Sequence, residues 1–269
     1  MSVPAHKGIV VSSPVGRPWV WLAAGWSDIA RAPAVSIGYG LVIVALSFLV
    51  TLGAWLAGVL YLVLPLAAGF FLLAPVLAVG LYDVSRRHEA GLPVGFAGAF
   101  TAWRRNGGQI ALMGLVLTFF FLAWLRIATL IFALFFGVQS PSFDRFVVEV
   151  FLSWQSLPFL IVGTVTGAVL AAIAFALSVV SLPMLLDRDT DVFHAAAASV
   201  AVARANPAAM AVWAGLIVLF TAAGLVTGFV GLAITLPLIA HASWHAYRDL
   251  CYVADDEEDG ELAYGIGAN

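Results

Sequence analysis

The sequence predicts an all-α, polytopic transmembrane helix bundle of about six spans. Three observations predict it. Of 269 residues, 63% are hydrophobic and 10% charged, against roughly 45–50% and about 25% in a soluble protein, and so few charges cannot cover a water-facing surface. Several stretches exceed the roughly 20 apolar residues that a spanning helix needs; residues 34–81 hold 48 positions without a charge. Finally, the basic residues alternate in a way that suits an even number of crossings.

Taken in order, residues 1–17 form an N-terminal arm, with Lys7 and Arg17 but no continuous apolar core of a signal peptide. The first spanning helix is therefore expected to act as the insertion signal. The spans are placed at 34–56, 60–82, 109–130, 158–182, 208–227 and 229–248. With that partition Lys7, Arg17, Arg31, Arg86, Arg87, Arg104, Arg105, Arg188, Arg204 and Arg248 fall on one side, ten of the twelve basic residues. Arg145 lies in an opposite-side loop and Arg126 within an apolar stretch. Cationic loops stay in the cytoplasm, so both ends are expected there, in a bacterial inner membrane. The membrane domain covers 18–250, and an acidic cytoplasmic tail covers 251–269.

Three segments precede a pair of spans each. Trp19, Leu22, Ala23, Trp26, Ile29 and Ala30 recur at helical spacing, with Asp28 and Arg31 on the other face. Phe96, Ala99, Phe100 and Trp103 do the same before Arg104 and Arg105, as do Phe193, Ala196, Ala197, Val200 and Ala203 before Arg204. Each ends in a breaker: Ala32-Pro33, Asn106-Gly107 and Asn206-Pro207. The expectation is three parallel repeats, at about 18–87, 93–188 and 191–250, each an interfacial amphipathic helix followed by a transmembrane hairpin. The second span of each hairpin carries Leu64-Pro65, Leu182-Pro183 or Leu236-Pro237, where kinks are expected.

The runs LAPVLAVGLYDVSRR, AWRRNGGQ, LSVVSLPMLLDRD and HASWHAYRDL resemble a family of bacterial predicted integral membrane proteins defined by a domain of unknown function. The resemblance implies a six-span protein common in proteobacteria and brings no activity or catalytic residues.

Candidate sites are sparse. His241 and His245 share a helix face and, with Asp83, Asp187 or Asp189, supply imidazole and carboxylate ligands for a metal; the competing reading, an interfacial belt with Trp244 and Tyr247, is favoured. Arg126 sits near the far interface, where Asp144 and Glu149 are within sequence reach as ion-pair partners. Asp83, Asp187, Arg188 and Asp249 mark the polar ends of the spans. Gly163/Gly167 and Gly224/Gly228 form GxxxG stripes suited to close helix packing. Cys251 is the only cysteine, so no intrachain disulfide forms; palmitoylation there is outweighed by an inert thiol. No phosphate loop, dinucleotide fingerprint, HExxH or nucleophile–base pair is present. No cofactor, enzymatic activity or nucleic-acid partner is expected. Membrane lipids are the expected partners, with other membrane-protein subunits a further class. An accessory or scaffold component is the leading functional reading, and a small-solute or lipid transporter the alternative.

Overall fold

The computed structural model describes residues 9–10, 13–59, 62–137 and 153–252. Ser142, Asp144, Arg145 and Glu149, and the acidic run 255–261, lie outside the described residues. The described chain is helical apart from two short strands, β1 (Ile9–Val10) and β2 (Cys251–Tyr252), which pair antiparallel.

The first helix, α1 (Arg17–Arg31), carries Pro18 in its first turn, where a missing N–H is harmless. It stops at Ala32, and Pro33 opens α2 (Pro33–Leu56). The second helix of that hairpin is broken into α3 (Val63–Leu77) and α4 (Val79–Glu89). Next come α5 (Phe96–Thr101), a short 3-10 turn at Ala102–Asn106, and the long α6 (Gly107–Phe136). The returning helix is again in two pieces, α7 (Leu157–Ser178) and α8 (Ser181–Asp187). The chain ends with α9 (Val192–Ala205), α10 (Pro207–Val226) and α11 (Leu232–Leu250). Asp191 caps α9 by accepting hydrogen bonds from the backbone N–H groups of Phe193 and His194; these bonds hold its carboxyl below the usual range.

The three junctions singled out in the sequence share one backbone conformation. Ala32 has φ −135° and ψ 61°, Asn106 φ −141° and ψ 56°, and Asn206 φ −127° and ψ 50°. A non-helical residue followed by Pro or Gly ends one helix and lets the next start at a new angle.

Among the described residues, five stretches are long and apolar enough to cross a membrane: Pro33–Leu56, Val63–Glu89, Phe96–Phe136, Trp154–Asp187 and Pro207–Val226, with mean hydropathy of 2.2 to 2.5. The sixth expected span, α11, is 19 residues long but is not among them, because its second half carries His241, His245, Arg248 and Asp249.

Pro65 does not kink its span: it sits in the first turn of α3, where proline is tolerated, and that span breaks at Ala78. Pro183 does: its ring crowds the Val179 carbonyl four residues back, and its span breaks at Val179-Val180. At the second break the Val180 N–H donates to the Ser199 hydroxyl at 3.3 Å, replacing a lost helical bond. Pro237 and Pro75 lie inside their helices.

Burial is concentrated at one end of the bundle. Residues 79–85 of α4, 181–186 of α8 and most of α11 from Leu236 onward are buried, and these three segments pack on one another. Around them lie α1, the α5 region and α9. On α1 the packed face is Trp21, Leu22, Gly25, Asp28 and Ile29, whereas Trp19, Ala23, Trp26 and Ala30 point outward. The expected division, with Asp28 and Arg31 on the face opposite the apolar stripe, is therefore corrected: Leu22 and Ile29 share the buried face with Asp28, while Trp19, Ala23, Trp26 and Ala30 are exposed. The same holds for Phe96, Phe100, Trp103 and Phe193, which are exposed, while Ala99, Ala195, Ser199 and Val202 are buried.

Candidate functional site

Close approach of α1 and α11 creates the site. A Cβ on Gly25 would lie 2.8 Å from the Ala242 nitrogen and 2.9 Å from the Leu238 carbonyl oxygen, so only glycine permits this contact. It brings Asp28, three residues on, against α11 and α4. Asp28 is 2% exposed. Its carboxylate faces His88 Nδ1 of α4 at 3.0 Å and His245 Nε2 of α11 at 2.8 Å. Burial by itself would raise the Asp28 carboxyl. The His245 hydrogen bond, the nearby Ser85 hydroxyl and the potentials of His241 and His245 outweigh burial and bring it down to about 2.

Deeper in the bundle, His241 is fully buried between two hydroxyls. Its Nε2 lies 3.0 Å from Ser36 Oγ of α2 and its Nδ1 2.8 Å from Ser85 Oγ of α4. A neutral imidazole donates from one nitrogen and accepts at the other, so one serine accepts while the other donates. On the outer rim, Arg31 stands 3.9 Å from Asp28, and Arg248 Nε 3.3 Å from Glu89. Asp28, His88, His245, Ser36, Ser85 and His241 thus tie four helices, α1, α2, α4 and α11, through polar groups of which Asp28, Ser36, Ser85 and His241 are buried and the other two histidines partly so. Such a chain of carboxylate, imidazoles and hydroxyls can hold and pass a proton.

The other sequence-selected residues are tied up separately. Asp83 receives Arg86 (Nε 2.8 Å, Nη2 2.6 Å) and Arg87 (Nε 2.6 Å). Asp187 accepts from the Tyr247 hydroxyl at 2.8 Å. Arg188 lies over the Tyr247 ring at 5.5 Å and donates to the Cys251 carbonyl at 3.1 Å. Asp249 accepts from Arg17 through both oxygens at 2.8 Å and from Trp21 Nε1 at 2.9 Å. Cys251 is buried, which pushes its thiol up to about 11 and keeps it from acting as a nucleophile.

His241 and His245 therefore meet serines and Asp28 in place of Asp83 or Asp187, whose carboxylates are already engaged. Among the described residues no group of three or more His, Cys, Asp or Glu side chains is arranged to hold a metal ion. Arg126 is exposed on α6 and has no ion-pair partner among the described residues. Gly167 sits under the Trp124 ring and Gly224 against Leu232 and Thr235, so both pack within the chain, while Gly163 faces open space. Asp28, His88, Ser36 and Ser85 are the residues that sequence reasoning missed. Their one sequence signal is Asp28 itself, a carboxylate on an otherwise apolar and small-residue helix face.

No curated protein and no solved structure matches the chain. A match does come from a family model, over residues 62–187, from the start of the second hairpin helix to the end of α8. The chain is an integral membrane protein, and its segment 62–187 is similar to the family described as "Predicted integral membrane protein (DUF2189)".

Proposed function

We propose that the chain is a non-enzymatic accessory or scaffold protein of the bacterial inner membrane, crossing it six times with both ends in the cytoplasm. The observation that carries this reading is that the carboxylates at the buried end are engaged by partners within the chain. Asp28, Asp83, Asp187 and Asp249 each have partners within the chain, and what the protein presents outward is apolar and aromatic surface with a set of exposed arginines. Such a surface binds neighbours and headgroups and offers no reaction centre.

The crossing number has its own support. The Ile9–Val10 strand pairs with Cys251–Tyr252, and Arg17 pairs with Asp249, so the two ends meet on one side of the bundle. An odd number of spans would separate them, which supports counting α11 as the sixth. The basic residues of α4, the α5 region and α9 crowd the same end, as cytoplasmic residues do. The three like junctions support the repeat. A solute carrier needs polar groups along its path. Here the span hydroxyls of Ser47, Thr51, Thr118 and Thr129 donate to carbonyls of their own helices.

In-cell photo-crosslinking from Trp26 and Phe193, followed by detergent-free extraction in polymer discs, tests the reading. A discrete protein adduct of fixed stoichiometry is expected. Lipid adducts only, together with solute uptake by reconstituted vesicles, would overturn it in favour of transport.

A further inference from the structure

We propose that a crevice between α2 and α3 binds one acyl chain of a membrane phospholipid. The two helices are consecutive yet diverge. The α2 backbone closes on α11, where a Cβ on Gly40 would lie 2.4 Å from the Ala233 carbonyl oxygen, and α3 closes on α6, where Gly69 lies against the Phe121 ring. The gap between them is a cavity of about 210 Å³, with Ile43, Phe70, Phe121 and Phe229 among its walls. Ser47 and Thr51 also line it, but their hydroxyls donate to the carbonyls of Ile43 and Ser47. No free side-chain donor is left to recognise a headgroup, and every other lining side chain is apolar, so the ligand is hydrocarbon. Apolar cavities of about 150 Å³ stay dry and take up molecules such as benzene, and this one is larger.

Continuity with the lipid-facing surface selects the occupant. Leu46 and Val50 line the crevice and are also half-exposed on the outside of α2, so the cavity opens onto the bilayer that surrounds an integral membrane protein. At one end stands Phe229, the one non-glycine residue with a positive φ, 70°, among the described residues. A residue with a Cβ rarely adopts that backbone. Here it follows Gly228, also left-handed, and sets the Phe229 ring edge-on to Phe48 with centroids 5.8 Å apart. The ring closes the end of a slot that otherwise runs alongside α2.

The proposal rests on the membrane reading only in placing α2 and α3 within the bilayer. The full chain is reconstituted in nanodiscs of phosphatidylethanolamine and phosphatidylglycerol, the latter bearing a diazirine in one acyl chain, and the adducts are mapped by peptide. Label should concentrate on residues 43–51 and 63–73. Ala67→Phe, which fills the cavity, should lower that label at least tenfold relative to label on residues 218–226 of α10. Ser47→Leu fills it from the other wall and should do the same, should the first variant fail to fold. Even labelling of all lipid-facing helices, or label at 43–51 unchanged by both fillings, overturns the proposal. So does displacement of the label by detergent or free fatty acid but not by unlabelled phospholipid. Absence of label from every helix would refute the membrane reading as well, which tells the two failures apart.

Discussion

Replacing Asp28 with asparagine tests the polar knot most directly. One carboxylate joins α1 to α4 through His88 and to α11 through His245, at 3.0 and 2.8 Å. Hydrogen bonds to a charged group contribute about 1.5–3 kcal/mol each. Asparagine keeps the shape but removes the charge and turns one acceptor into a donor, so one imidazole loses its partner. The expected loss is about 3 kcal/mol, or on the order of 6–12 °C in Tm at about 2–4 °C per kcal/mol for a chain of this size. The pH dependence has a definite sign. Because the folded carboxyl is held at about 2 from an ordinary 3.8, its ionised form stabilises the fold fully above pH 3.8, and that stability is lost as pH falls towards 2. The contribution is about 2 kcal/mol. Melts followed by tryptophan fluorescence in one detergent should show the gap between wild type and Asp28→Asn steady from pH 7 to pH 5 and closing below pH 4. A variant melting within about 2 °C of wild type at pH 7, or a gap undiminished at pH 2.5, refutes the reasoning.

Asp249→Asn should weaken the tie between Arg17 and α11 by about 1 kcal/mol, since this pair is partly exposed; raising the salt should shrink the difference, seen in the same melts. Gly40→Ala places a Cβ against the Ala233 backbone, which cannot give way. A loss of about 1–3 kcal/mol is expected, whereas Gly53→Ala, with nothing within 4 Å, should leave Tm unchanged. Reporter fusions after Asp249 and within residues 88–93 should read as cytoplasmic and one near Ser142 as external; a cytoplasmic reading at Ser142 rejects six spans.

The spans were legible in the sequence because a bilayer demands length and apolarity, and both are local properties. Which side of α1 packs was not legible. In water the apolar stripe of an amphipathic helix goes inward, but beside lipid the stripe of Trp19 and Trp26 has an apolar solvent to face, and the small and polar side takes the protein contact. The His241–His245 spacing was visible, yet their partners Ser36, Ser85 and Asp28 come from three other helices and leave no trace in local spacing. Gly25, Gly40 and Gly80 set close helix approaches without any GxxxG pattern, because each meets a neighbour's backbone at a single crossing.

The position of the core follows from the same physics. Within hydrocarbon there is no hydrophobic drive to bring helices together, since lipid tails are as apolar as leucine. Accordingly α2, α6, α7 and α10 keep many exposed leucines, valines and phenylalanines, and the α2–α3 crevice can stay open. Towards the end where the chain termini meet, water returns, apolar burial again stabilises, and charges can be paired. There α4, α8 and α11 pack with Leu81, Val180, Leu182, Leu185 and Tyr247 fully buried. The Asp28–His88–His245 knot lies in that layer, where a buried charge costs less than at mid-bilayer and a hydrogen bond excluded from water is strong. The bundle is therefore packed most closely at the end where β1 and β2 pair, and its spanning halves leave apolar side chains facing outward.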